Sequence, residues 1–281
     1  RVDELRGGRA PLPPMRQPHR LGAHIADAQL SGALRVLDAT LQEVAAERLA
    51  SHDIKPLALS RHLAERVRKI PELRFLFLTD PAGRIEAMSD PAFIGIDASQ
   101  REYFTRPRDA ANATGYYVSR PYTATTGNVV IAISRPIRDA RGRFLGVVAA
   151  SIEPQYFKEV LETVRPEGTG HALLVSTEGD ILYDTPQPDL TGKNLKGGIA
   201  FEAHIAAGKR TTRHLNAVKL TGIERLSVLR RLDYPGLIVF LSRDYDEVIA
   251  TWRRNVSQRR QPASWNHRSV CGPSVLLKNH T

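Results

Sequence analysis

Arginine beside phenol and phenyl rings can hold a small anion, and one segment of this chain concentrates that chemistry. Residues 99–122 read SQREYFTRPRDAANATGYYVSRPY. They contain Tyr103, Phe104, Tyr116, Tyr117 and Tyr122, five of the 18 aromatic residues in 281, together with Arg101, Arg106, Arg108 and Arg120. A planar guanidinium grips a carboxylate through two parallel hydrogen bonds, and aromatic walls that exclude water strengthen the grip. On a short helix Arg101 and Phe104, three apart, share a face, with Tyr103 about 100° away. Tyr116, Tyr117 and Tyr122 follow on a strand and loop that can form the facing wall. Their hydroxyls supply the few oriented polar groups that a small-ligand pocket needs. The alternative is a core corner with a solvated rim, in which Arg101 pairs with Asp97 or Asp109.

Other chemistries lack their residues. The nine histidines are scattered with no HExxH or HxH pairing, so no metal site is expected. No GxSxG turn offers an activated serine. TGKN at 191–194 lacks the partners of a phosphate loop, because position 187 is Gln. EGTG at 167–170 precedes a strand and reads as a linker between modules. No catalytic residue and no cofactor is expected. The single Cys271 excludes an intramolecular disulfide.

The elements that must position the arginine-aromatic segment follow from hydrophobic period. Leu30, Leu34, Leu37, Leu41 and Val44 recur at alternating steps of four and three, which predicts a helix over 24–50 about 40 Å long. That seam can serve either as the contact of a homodimer or as the surface on which the chain's own modules pack. A second helix after DIKP has Leu57, Leu59, Leu63, Val67 and Ile70 as its apolar face and stops at Pro71. The period then changes. LRFLFLTD and IEAM read as a hairpin turning at Gly83, and DASQREYFTRPRDA as a short helix with Asp97 at its N-cap. Strands are expected at 116–119, 128–137 and 143–152, then a helix over EPQYFKEVLETVR. HALLVSTEGDILYDT repeats the hairpin. It leads into a helix near 199–207, strands near 211–219, 223–232 and 237–242, and a closing helix. Two successive units of hairpin, helix and meander predict an α+β fold in which a long N-terminal helix carries two PAS-like antiparallel modules. The division expected is a flexible lead at 1–23, N-terminal helices at 24–70, modules at 71–166 and 167–243, a helix at 244–256, and a disordered or non-native tail at 257–281.

Net charge is +10, but it lies at the ends. Residues 1–20 carry +3 and residues 253–281 carry +6, which leaves the body near neutral. A nucleic-acid-binding face needs a charged folded body, so nucleic acid is not an expected partner. Basic ends also suit an anionic membrane surface. No apolar run reaches 18 residues, so any membrane anchor is expected outside 1–281.

The ordered set REYF, TGYYVSRPY, SRPIRDARG and FLGVVAASIEPQYF resembles the double Cache (dCache) family of bacterial sensor domains over about residues 24–252. The resemblance implies an extracytoplasmic, periplasmic domain of an inner-membrane receptor. Its output would be a histidine kinase, a diguanylate cyclase or a chemotaxis module, and its membrane-distal module would bind a small molecule. Carried onto this sequence, the ligand-carboxylate positions are Arg101, Tyr103 and Phe104, with Tyr122 from RPY. Tyr117 is expected on the same wall, and Arg120 and Arg135 as a second anion contact. Amino-acid-binding members place aspartates where this chain has Ala124 and Ser151. A buried amine without an acidic partner costs several kcal/mol, so an organic acid is expected in preference to an amino acid. The remaining alternatives are a degenerate pocket read through a protein partner and, less favoured, a soluble enzyme.

Overall fold

A computed structural model describes residues 18–50, 55–110, 115–186, 188–217 and 222–259. Helix α1 (Pro18–Ala50) and helix α2 (Pro56–Lys69) precede the first sheet. That sheet contains β1 (Leu73–Thr79), β2 (Ile85–Met88), β3 (Tyr117–Val118), β4 (Tyr122–Thr123), β5 (Val129–Arg138) and β6 (Phe144–Ile152). Its order is β2-β1-β6-β5-β3, with β4 paired to β5, and helix α3 (Glu102–Asp109) covers one face. A 3-10 turn leads into α4 (Lys158–Val164). The second sheet contains β7 (His171–Ser176), β8 (Ile181–Thr185), β9 (Thr211–Ala217), β10 (Glu224–Arg231) and β11 (Leu237–Asp244). It repeats the order as β8-β7-β11-β10-β9, with α5 (Ile199–Ala207) between β8 and β9, and α6 (Tyr245–Arg259) follows.

The expected α+β plan is the one observed, with corrections at the edges. Helix α1 starts six residues before the expected position, so 18–23 are helical; residues 1–17 lie outside the described residues. At the other end α6 runs to Arg259, which takes 257–259 from the expected tail; 260–281 lie outside the described residues. Leu57 is exposed and Leu59 and Leu63 are buried, so the apolar face of α2 is narrower than its spacing predicts. Asp97 does not cap α3. Its Oδ1 accepts from Ser99 N–H at 2.8 Å in the turn before the helix, where Arg101 is the N-cap.

The alternation of each strand divides the side chains between two layers. In the first sheet Leu76, Leu78, Ile131, Ile133, Val148, Ala150 and Ile152 face α1. Phe77, Ala132, Val147 and Ala149 face α3 instead. The helical seam of Leu30, Leu34, Leu37, Leu41 and Val44 is at most 1% exposed, and α1 contacts β5 and β6 of one sheet and β10 and β11 of the other. Burying each Leu or Val stabilises the fold by about 1.5–3 kcal/mol, which is why one helix can carry both sheets. The seam is thus consumed within the chain. It is not free to form the contact of a homodimer.

Polar contacts fix the register of each sheet on α1. Asp27, 3% exposed, accepts from Ser31 Oγ at 3.0 Å, Arg210 at 2.9 Å, Arg230 Nε at 2.8 Å and Asp233 N–H at 2.6 Å. Higher on α1, Asp38 holds Arg135 of β5, with one contact at 2.9 Å. The N-terminal part of α1 lies along the second sheet, where a Cβ on Gly22 would meet Leu241. Helix α6 contacts β10 and β11, so the N-terminal part of α1 and α6 both lie against the second sheet.

Candidate ligand-binding site

The face of the first sheet turned towards α3 carries small residues on its central strands. Ala132 of β5 pairs with Ser151 of β6, and Ala149 of β6 pairs with Phe77 of β1. Small side chains there leave depth that the surrounding rings roof over. Tyr103 of α3 and Tyr122 of β4 stand with centroids 5.8 Å apart, and Phe77 meets Tyr103 edge-on at 5.3 Å. Phe75 and Phe93 close the far side at 5.8 Å. The cavity between them holds about 60 Å³.

Arg101 stands at the mouth of this cavity. Its guanidinium carbon lies 5.5 Å from the centre of the Tyr122 ring, a cation-π contact. The residue is exposed, and it has no carboxylate partner among the described residues. Of the two partners in the alternative reading, Asp109 pairs with Arg108 and Asp97 Oδ1 accepts from Ser99 N–H. Burial pushes the Tyr103 phenol up to about 12, with Arg101 opposing the rise. Tyr122 is raised as well, first by burial and then by Tyr103. Both phenols therefore stay protonated at neutral pH and can donate to an anion.

Three of the seven residues predicted from sequence line this cavity: Arg101, Tyr103 and Tyr122. Phe104, fully buried, sits behind them in edge contact with Phe144 at 5.7 Å and supports the wall from the core. Tyr117 and Arg120 converge elsewhere. The Tyr117 hydroxyl donates to Glu102 at 3.2 Å and Arg120 pairs with Glu102 at 2.8 Å, which ties β3 and the following loop to the outer side of α3. Arg135 is on the wrong face for an anion contact. It shares the parity of Ile131 and Ile133, so it points at α1 and pairs with Asp38.

Sequence reasoning missed the Phe75, Phe93 and Thr126 contributions. The period-two spacing of Phe75 and Phe77 in LRFLFLTD was the available signal for one wall. A wider groove of about 620 Å³ lies between α1 and α2, lined by Glu43, Glu47, His62, Glu65, Arg66 and Lys69. Arg66 there is already held by Glu43 and Glu47, and no aromatic wall excludes water. It is a weaker candidate for a small ligand. Among the described residues no group of three or more His, Cys, Asp or Glu is placed to hold a metal.

With the geometry in hand, known proteins give it context. The chemotaxis protein McpA of Pseudomonas putida KT2440 is 28% identical over 133 residues, 47% of this chain and 19% of that receptor, so the chain spans less than a fifth of this curated relative. The extracellular domain of a protein designated histidine kinase rpHK1S-Z16 superposes with a TM-score of 0.73 at 22% identity, covering 83% of this chain and 95% of that one. The ligand-binding domain of the Pseudomonas aeruginosa PAO1 amino-acid chemoreceptor PctC, in complex with GABA, gives 0.60 at 20% identity over 81% and 99%. The sequence pattern that defines the Cache domain, in its double form, matches residues 19–252. By that match and by its two sheets on one helix, this chain belongs to the double Cache (dCache) family.

Proposed function

We propose that the chain is the extracytoplasmic ligand-sensing domain of a membrane receptor, and that its first sheet binds a small carboxylate. The observation that carries this reading is Arg101, without an ion-pair partner among the described residues, at the mouth of an aromatic cavity. A guanidinium over the Tyr122 ring, with no acid of its own among the described residues, is preorganised for a carboxylate that enters beneath Tyr103. Phe104 acts as backing, and Tyr117 and Arg120 hold α3 in place through Glu102. The positions of Ala124 and Ser151 favour an acid without an amine. That the N-terminal part of α1 and α6 both lie against the second sheet supports a membrane-distal position for the first sheet.

Contacts between the two sheets offer a route for the signal. Tyr116, just before β3, stacks on Tyr234 with centroids 3.8 Å apart, and Arg106 of α3 pairs with Glu178 of the second sheet at 3.2 Å. The link between the sheets is then held on α6, where Glu247 accepts from Thr169 N–H at 2.9 Å. Hydrogen bonding from Arg243, then from Thr169, holds the Glu247 carboxyl down at about 2. Ligand that repositions α3 thereby biases α6, to the extent that it binds one arrangement better than another. Likeness to the rpHK1S-Z16 domain supports a kinase output, and likeness to McpA supports a chemotaxis output. A diguanylate cyclase output rests on family resemblance alone.

The test is a thermal-shift screen of the domain against small monocarboxylates, dicarboxylates, amino acids and amines. Carboxylates without an amine are expected to raise the melting temperature in a dose-dependent way. A panel in which only amines stabilise overturns the ligand class. No shift from any compound favours a sensor read through a protein partner.

A further inference from the structure

Two hydroxyls in the cavity have nothing to hold. Ser151 of β6 sits opposite Phe75 on one side and Ala132 on the other, is 3% exposed, and its Oγ has no hydrogen-bond partner. Thr126, in the turn after β4, presents an Oγ1 that is likewise shielded from water and unpartnered. Both residues line the cavity whose mouth holds Arg101. A buried hydroxyl without a partner destabilises the fold, and alanine at 151, as at 149 and 132, would avoid that cost. Nothing in the packing of the sheet requires an oxygen there.

We infer that Ser151 and Thr126 form a subsite for an oxygen substituent, so that the ligand is a short 2-hydroxy or 2-oxo carboxylic acid. The inference rests on the carboxylate reading above and adds to it what the inner end of the ligand must be. With the carboxylate held at the mouth by Arg101, the next group inward meets the two hydroxyls. A hydroxyl can donate as well as accept, so either a ligand hydroxyl or a ligand carbonyl satisfies them. The volume sets the size: a water occupies about 10–15 Å³ of such space, so about 60 Å³ admits roughly four to six heavy atoms, the size of a short acid. An ammonium fits less well. The one carboxylate in the lining, Asp97, is exposed at the rim, and its Oδ1 is occupied by Ser99 N–H.

The test is calorimetric titration of the full chain with four three-carbon probes: propionate, lactate, pyruvate and alanine. Lactate or pyruvate is expected to bind at least about tenfold more tightly than propionate, and which of the two wins tells hydroxyl from oxo. Ser151→Ala is expected to remove that advantage while leaving propionate within about twofold, and Thr126→Val to reduce it. The unliganded melting temperature of Ser151→Ala is expected to be unchanged or higher, which serves as the folding control. Propionate binding as tightly as both oxygenated acids overturns the subsite and leaves the carboxylate site standing. So does Ser151→Ala weakening all acids alike. Alanine binding most tightly overturns the subsite by placing an amine there. Failure of every acid to bind overturns the subsite and the carboxylate reading together.

Discussion

Arg101→Ala is expected to weaken binding of the stabilising carboxylate by about 10- to 150-fold. A hydrogen-bonded charge pair contributes about 1.5–3 kcal/mol, and each 1.4 kcal/mol is a factor of ten in affinity. The fold is expected to be indifferent, because Arg101 is exposed and makes no ion pair among the described residues. Its melting temperature without ligand should therefore match that of the wild type. Arg101→Lys is expected to recover part of the loss, since an ammonium keeps the charge but not the two parallel donors. Titration calorimetry of the three proteins with one acid measures both effects. Equal affinities would remove Arg101 from the site.

A larger effect on stability is expected at Asp27. Burial by itself raises the carboxyl pKa, but donors from Asp233 N–H, Arg210, Ser31 and Arg230 outweigh it and hold the group below its ordinary value. Asp27→Ala leaves the Arg230 side chain, 9% exposed, without its buried counter-ion. Removing one partner of such a pair costs about 3–5 kcal/mol. For a domain of this size that is a fall in melting temperature of roughly 10 °C. The same residue gives a pH dependence of known sign. A depressed carboxyl pKa contributes stability that is present above the unfolded value near 3.9 and is lost as pH falls through the folded value. The wild type should thus lose an acid-sensitive increment that the variant lacks. Urea unfolding at pH 6 and pH 3 reads both, and a wild type and variant with parallel pH profiles would contradict the assignment.

What the sequence disclosed and what it hid divide along a physical line. Local period was legible. The seam from Leu30 to Val44 announced α1, and the two hairpins at 73–88 and 171–185 announced the repeated sheet. The face of a residue was legible only where alternation was applied to it. Arg135 shares the parity of Ile131 and Ile133, which already aligned it with the core and away from Ser134 and Ala132. That Arg101, Tyr103 and Tyr122 come together at one cavity could be inferred from residue type. Its partners could not, because Glu102 captures Tyr117 and Arg120 through tertiary contacts that spacing does not encode. The pocket's depth was hidden for a similar reason. It comes from small residues at Ala132, Ala149 and Ser151 that are far apart in sequence and meet only through strand pairing.

The most direct measurement is an NMR titration of the domain carrying ring-labelled tyrosine, with Tyr103→Phe and Tyr122→Phe used to assign the two cavity signals. A stabilising short carboxylic acid is predicted to move the Tyr103 and Tyr122 resonances, in proportion to occupancy, and to leave that of Tyr183 in the second sheet in place. Saturating ligand that shifts Tyr183 while Tyr103 and Tyr122 stay still would contradict a binding site under those two rings.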